Sequence, residues 1–232
     1  MSVRVLKSLC LAAALAVGGV ISFAADTALS LPKTEADWKT YFRDLARNKD
    51  ANSLFILGTY YATGHPHLSR GKADPAEAFR YYQRAAEAGH AEAQYRLGYC
   101  YEKKLGVRVA SLEMAHKWYL KAADQELPMA QLRVGEMYLT GEGVAFNGPL
   151  AYQYLYKAAE RGLPDAQRMV GDCYKMGWGA ARDDVKSLMW YIIAAKQDNE
   201  KAINNRDTMA RFLKNHEVLL AEKAAKDFRP KP

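Results

Sequence analysis

Cysteine is scarce in this chain. It occurs three times in 232 residues, at Cys10, Cys100 and Cys173, too few for the disulfide framework of a small stapled domain. Histidine is almost as rare. None of the five, His65, His67, His90, His116 and His216, pairs with acids or thiols at metal-ligand spacing on one helix face. His65-Pro66-His67 could hold a metal, but reads as two polar loop residues around a proline. The sequence also lacks a Gly-x-Ser-x-Gly elbow, a phosphate-cradling glycine loop and a His-Glu-x-x-His pair. It therefore offers no catalytic or cofactor-binding residue, and a non-enzymatic protein is expected. Clustered positive charge is missing as well. The net charge is +7, with bases and acids interspersed apart from a tail carrying Lys223, Lys226, Arg229 and Lys231. That tail reads as solvated, and nucleic-acid binding is not expected.

Long hydrophobic runs are absent too. The longest extends 13 residues, from Leu9 to Ile21, too short to span a bilayer. Arg4 and Lys7 precede it, and Ser22-Phe23-Ala24 follows with small residues where a signal peptidase reads. Residues 1–24 are expected to be a secretory signal removed after Ala24, giving a periplasmic protein with no stable membrane insertion. Cys10 follows Lys7-Ser8-Leu9, not the small-residue box of a lipid anchor. Loss of Arg4 and Lys7 would leave 7−2 = +5 on the mature chain.

What the sequence does contain is a repeat. Leu57-Gly58, Leu97-Gly98, Val134-Gly135 and Val170-Gly171 are each followed three residues after the glycine by tyrosine, at Tyr61, Tyr101, Tyr138 and Tyr174. The glycines are spaced 40, 37 and 36 residues apart. Alanine pairs run alongside, at 85–86, 122–123, 158–159 and 194–195. Each of the first three pairs ends 12 residues before the next glycine, so the length variation falls in the other half of the unit, a surface loop. A fixed period of this size marks a stacked-repeat architecture.

Each unit reads as two helices. In the third, Met129, Leu132, Val134, Met137 and Tyr138 recur at helical spacing, and so do Leu150, Ala151, Tyr154, Leu155 and Ala158. Thr140-Gly-Glu-Gly-Val144 supplies the break between them. Glycine and the alanine pair let two helices approach closely, while Tyr and Trp residues, Tyr101 and Trp118 among them, fill the space between units. Cys100 and Cys173 occupy equivalent positions two units apart. At roughly 10 Å per unit they lie far beyond the ~7 Å Cα limit for a disulfide, and are expected to be buried free thiols.

On these residues the chain resembles the Sel-one-like repeat family, relatives of the tetratricopeptide repeats. The carrying stretches are AQYRLGYCY (93–101), AHKWYLKAA (115–123), AQLRVGEMYLTGEGV (130–144), AYQYLYKAA (151–159), AQRMVGDCYKMGWG (166–179) and SLMWYIIAA (187–195). The first unit departs in its longer loop (62–78), and the second lacks the first loop glycine. The resemblance implies an all-α fold, a right-handed α-solenoid of about four helix-turn-helix repeats between helical caps. The expected organisation is a signal over 1–24, a linker and capping helix over 25–50, four repeats over 51–197, and a two-helix cap with a basic tail over 198–232. Cysteine-rich members of the family are associated with binding β-lactam compounds, but the paired cysteines that go with that association are missing here, so it does not carry over.

The resemblance also implies a groove lined by the first helix of each unit, open three positions before and one after the repeat glycine. Those columns read Phe55, Tyr95, Leu132 and Arg168, and Thr59, Tyr99, Glu136 and Asp172. A protein or peptide partner is expected there, with aromatic anchors. The function implied is that of a periplasmic adaptor, scaffold or regulatory binding protein. The alternatives are an immunity protein against a toxic effector, and an enzyme or enzyme accessory acting on cell-wall or β-lactam substrates.

Overall fold

The computed structural model describes residues 32–231. The expected signal over 1–24, with Cys10, and the linker up to residue 31 lie outside the described residues. Those described form twelve helices and no strand. They divide into two compact units between Tyr41 and Phe42, within the first helix, α1 (Glu35–Asn48). At its start, the Thr34 hydroxyl accepts from the Asp37 N–H and the Asp37 carboxylate from the Thr34 N–H, a reciprocal cap.

From Phe42 onward the chain is a run of helix pairs. The first helices are α2 (Ala51–Thr63), α5 (Ala91–Lys103), α7 (Pro128–Thr140) and α9 (Pro164–Met176). The second helices are α4 (Pro75–Glu87), α6 (Leu112–Asp124), α8 (Gly148–Glu160) and α10 (Asp184–Ala195). A four-residue helix, α3 (Pro66–Ser69), occupies the long first loop. α11 (Glu200–Ala210) and α12 (Asn215–Asp227) follow and pack on α10. Each helix of the repeats packs on its neighbours in the chain, the arrangement of an α-solenoid.

The repeat markers have separate jobs. Each repeat glycine meets a side chain of its unit's second helix. A Cβ on Gly58, Gly98 or Gly171 would lie 2.6–2.8 Å from the ring of Tyr82, Tyr119 or Tyr191, and one on Gly135 would lie 2.5 Å from Leu155 Cγ. The helices can pack at this separation only because these positions lack a side chain. Each repeat tyrosine then closes the loop: the carbonyls of Tyr61, Tyr101, Tyr138 and Tyr174 accept from the N–H of Asp74, Ser111, Asn147 and Asp183 at 2.9–3.0 Å. Those four residues are the N-caps of the second helices, which satisfies donors a helix start leaves open. Three of the tyrosine rings also join units edge to face, Tyr101 on Phe79, Tyr138 on His116 and Tyr174 on Tyr152.

The departures in the loops have local explanations. In the second unit Lys104 takes the left-handed conformation that Gly64, Gly141 and Gly177 take elsewhere, so the missing glycine changes a residue and not the turn. Cys100 and Cys173 are free and buried, and burial pushes their thiols up to about 11 and about 12.

One expectation needs correction. Trp118 is only half-buried, with Lys121 Nζ 4.2 Å over its ring. The residue between the helices is its neighbour Tyr119, at 0% exposure. The four basic residues of the tail, Lys223, Lys226, Arg229 and Lys231, are exposed to solvent, while the segment around them is tethered: the Phe228 ring lies 5.2 Å from that of Trp190, and the Lys231 N–H donates to the Glu160 carbonyl at 2.7 Å.

Candidate partner-binding face

The two columns expected to line the groove differ in exposure. The column one residue after the glycine is at least partly open: Thr59, Glu136 and Asp172 are half-buried and Tyr99 is 39% exposed. The column three residues before the glycine turns largely inward. Phe55 is 5% exposed, stacked 4.5 Å from His90 and packed on Tyr82. Leu132 is 6% exposed and belongs to the core of the last two repeats. Both are corrected from groove to core, because at these positions the first helix is turned toward the second helix of its own unit, Phe55 to Tyr82 and Leu132 to the cluster with Leu155 and Ala158. Tyr95 and Arg168 are half-buried, with the Tyr95 ring 5.3 Å from that of Tyr119.

The open column is joined to the second helices by tyrosine hydroxyls. With each ring packed over a repeat glycine, its hydroxyl reaches the first-helix face. Tyr82 approaches Thr59 Oγ1 at 3.5 Å, Tyr119 donates to Glu102 at 2.8 Å, and Tyr191 donates to Asp172 at 2.6 Å. In the third unit Leu155 holds the ring's position and sends no hydroxyl outward.

Two charged clusters grow on these anchors. Glu102 also accepts from Arg133 at 3.0 Å, and Arg133 pairs with Glu136 in the same first helix. This cluster ties the second unit to the third. Burial alone would raise the Glu102 carboxyl, yet hydrogen bonds from Lys103 and Tyr119 and the Arg133 charge together hold it below its ordinary value. At the far end Asp172 pairs with Arg168 and accepts from Asn205 of α11 at 3.3 Å. Glu102, Arg133 and Asn205 were not expected on this face. Glu102 lies four residues after Gly98, where the other units have Ala62, Leu139 and Lys175, so no repeated residue marks it, and Asn205 comes from outside the repeats.

The face therefore presents an exposed aromatic, Tyr99, beside two clusters of paired charges held in place by buried tyrosines. Among the described residues no group of three or more His, Cys, Asp or Glu could hold a metal ion. No described helix is long and apolar enough to cross a membrane. Near the first loop, burial depresses His65 to about 4, and its Nδ1 accepts from the His67 N–H at 3.3 Å.

Such a chain is a helical-repeat protein whose surface is built by stacking. The family model of the Sel1 repeat matches residues 51–90, 91–127, 128–163 and 164–199. These spans make up more than half of the sequence, and the chain belongs to the Sel1 repeat family.

Chitin synthase regulatory factor 3 of Schizosaccharomyces pombe is 41% identical over 132 residues, covering 56% of this chain and 14% of that protein. Chitin synthase regulator SKT5 of Saccharomyces cerevisiae is 38% identical over 87 residues, covering 37% and 12%. The chain thus spans less than a fifth of these curated relatives.

Among solved structures, c5321, a protective antigen present in uropathogenic Escherichia coli strains and displaying an SLR fold, superposes with a TM-score of 0.74. It is 26% identical over 89% of this chain and 43% of that one. A Sel1 repeat protein from Oxalobacter formigenes superposes at 0.69, 27% identical over 85% and 82%.

Proposed function

We propose that this protein is a non-catalytic interaction module, an adaptor or regulator that binds a protein or peptide segment on the face of its first helices and acts in the periplasm after export. The observation that carries the reading is the open column with its fixed charges. Tyr99 offers an exposed aromatic anchor, while Glu102, Arg133, Glu136 and Asp172 are held by neighbours and lose little freedom when a partner arrives. The fungal relatives, named as chitin synthase regulators, support a regulatory role. The basic start, short apolar run and small residues up to Ala24 support export.

Affinity capture from an envelope extract on the immobilised mature chain tests the binding role. Tyr99→Ala and Glu136→Arg are each expected to lower capture of the same partner by about 2 kcal/mol, Tyr99→Ala with melting unchanged and Glu136→Arg with a small drop in melting temperature from the lost pair with Arg133. Equal capture by wild type and both variants would move the partner to another surface. Export is tested by fractionation and N-terminal sequencing, with a mature start at or near Ala25 expected. An intact Met1 in the membrane fraction would overturn it.

A further inference from the structure

The second helices carry another surface, and part of this chain already sits on it. α12 ends at Asp227, and Phe228 turns extended, with φ −62° and ψ 134°. The next residues run back toward the end of α8. The half-buried Phe228 ring meets Trp190 of α10 edge to face at 5.2 Å, and Trp190 in turn meets Tyr156 of α8 at 5.7 Å. Pro230 lies over Gly162, where even an added Cβ would rest 3.5 Å from the proline ring. Lys231 is held twice by Glu160, its N–H donating to the carbonyl and its Nζ pairing with the carboxylate at 2.7 Å each. A cleft of about 530 Å³ opens beside this segment, bordered by Gly162, Ile193, Lys196 and Gln197.

These contacts are those of a ligand more than of a helix cap: an aromatic in an aromatic slot, a proline on a glycine, and a main-chain hydrogen bond with an ion pair at the far end. The sequence prepares the segment for this. A residue before proline is biased toward extended backbone, which applies to Arg229 and again to Lys231, so little ordering is required on docking. Extended, proline-containing segments on aromatic surfaces are a recurring mode of peptide recognition.

We infer that α8 and α10 form a docking groove for an extended aromatic-x-Pro-Lys segment, and that residues 228–231 fill it as a tethered, displaceable ligand, with the exposed Arg229 bonding to carbonyls of the tail itself. This site is separate from the first-helix face, and its test does not depend on any partner found there.

The test uses the full mature chain with Phe228→Ala and Lys231→Glu, which releases the tail, and a synthetic peptide of residues 226–232 added in solution. Binding is followed by NMR at the Trp190 indole and Gly162 amide. The released variant is expected to bind the peptide, and wild type to need on the order of tenfold more, because a tethered segment competes at millimolar effective concentration. A peptide with Phe228→Ala is expected to be silent. Absence of binding to the released variant, or equal binding to both proteins, would overturn the inference.

If the double variant fails to fold, Lys231→Glu alone and the charge swap Glu160→Lys with Lys231→Glu decide. The single change is expected to admit the peptide, and the swap, probed with a peptide carrying Lys231→Glu so that its charge matches the altered groove, to exclude it again; equal behaviour of the two would count against the site. A wild-type dimer that exchanges tails, seen as concentration-dependent sedimentation, would overturn the assignment to the chain's own segment.

Discussion

The ring of Tyr191 lies against Gly171 so closely that a Cβ on the glycine would fall 2.6 Å from Cε1, while the hydroxyl of the same ring donates to Asp172, the next residue. The ring is fully buried and fixed at both edges, so it cannot swing away from an added methyl. Gly171→Ala is expected to cost about 1–3 kcal/mol by overpacking, read as a melting shift of about 2–4 °C per kcal/mol. Gly135→Leu, against Leu155, is expected to cost more. An unchanged melting temperature in either variant would mean that the two helices are not held at this separation.

Tyr119 and Trp118 are adjacent, and only one of them is core. Tyr119→Ala removes a fully buried ring and the hydroxyl that anchors Glu102, and is expected to cost about 3–5 kcal/mol. Trp118→Ala removes a half-buried ring and its contact with Lys121, worth about 1 kcal/mol or less at an exposed site. The pair is compared by chemical denaturation, and a larger loss for Trp118 would reverse the assignment.

This pair shows where sequence reading stops. The period, the glycines and the alanine pairs fix which segments are helices and which residues allow close approach, since those features repeat. They do not fix rotation about each helix axis to within one residue. That uncertainty moves the core from Trp118 to Tyr119 and withdraws Phe55 and Leu132 from the groove, whereas the column at Thr59, Tyr99, Glu136 and Asp172 stays open. Contacts made once along the chain, such as Glu102 with Arg133 or Phe228 with Trp190, join residues far apart in sequence and leave no periodic trace.

A buried glutamine recurs at Gln94, Gln131 and Gln167. Each donates to the carbonyl of the second alanine of the preceding pair, at Ala86, Ala123 and Ala159. The side-chain carbonyls of Gln94 and Gln167 accept from Gln125 and Gln197 at 2.7 and 2.8 Å. At the intervening equivalent position stands Arg161, which pairs with Glu126, and Gln131 Oε1 is buried without a partner. Gln167→Leu is expected to cost about 1–3 kcal/mol, since it removes a buried hydrogen bond to the Ala159 carbonyl, which keeps the Gly162 N–H, and leaves a donor of Gln197 without its acceptor. Gln131→Leu is expected to cost less, because its bond is longer, at 3.4 Å, and the change removes an unsatisfied acceptor. Equal losses in thermal unfolding would mean that the glutamine network contributes nothing beyond packing.

Acid is expected to destabilise the protein in two stages. Burial lowers His65, His90 and His116 from their ordinary 6.5, His65 to about 4. In the folded chain these rings stay neutral, with His90 Nδ1 accepting from the Ala93 N–H at the start of α5, while the unfolded chain takes up protons near pH 6.5. The unfolded state therefore binds more protons below that pH, and this contribution, whole above 6.5, is lost as pH falls toward 4. Glu102 and Asp50, both held below their ordinary values, add stability that is present above their unfolded values and lost below about 4.5. Glu92, raised by burial, acts in the opposite sense just above its ordinary value. Melting temperature is expected to be level between pH 7 and about 8, to fall between 6.5 and 4, and to fall further below 4.5. Above the ordinary thiol value of 9.0 it falls again, because the buried Cys100 and Cys173 stay protonated while the unfolded thiols ionise. His90→Asn keeps an acceptor suited to the N-cap and removes one titrating ring, so its melting curve is expected to start lower at pH 7 and slope less between 6.5 and 4. An unchanged slope would show that the buried histidines are not the source of the acid sensitivity.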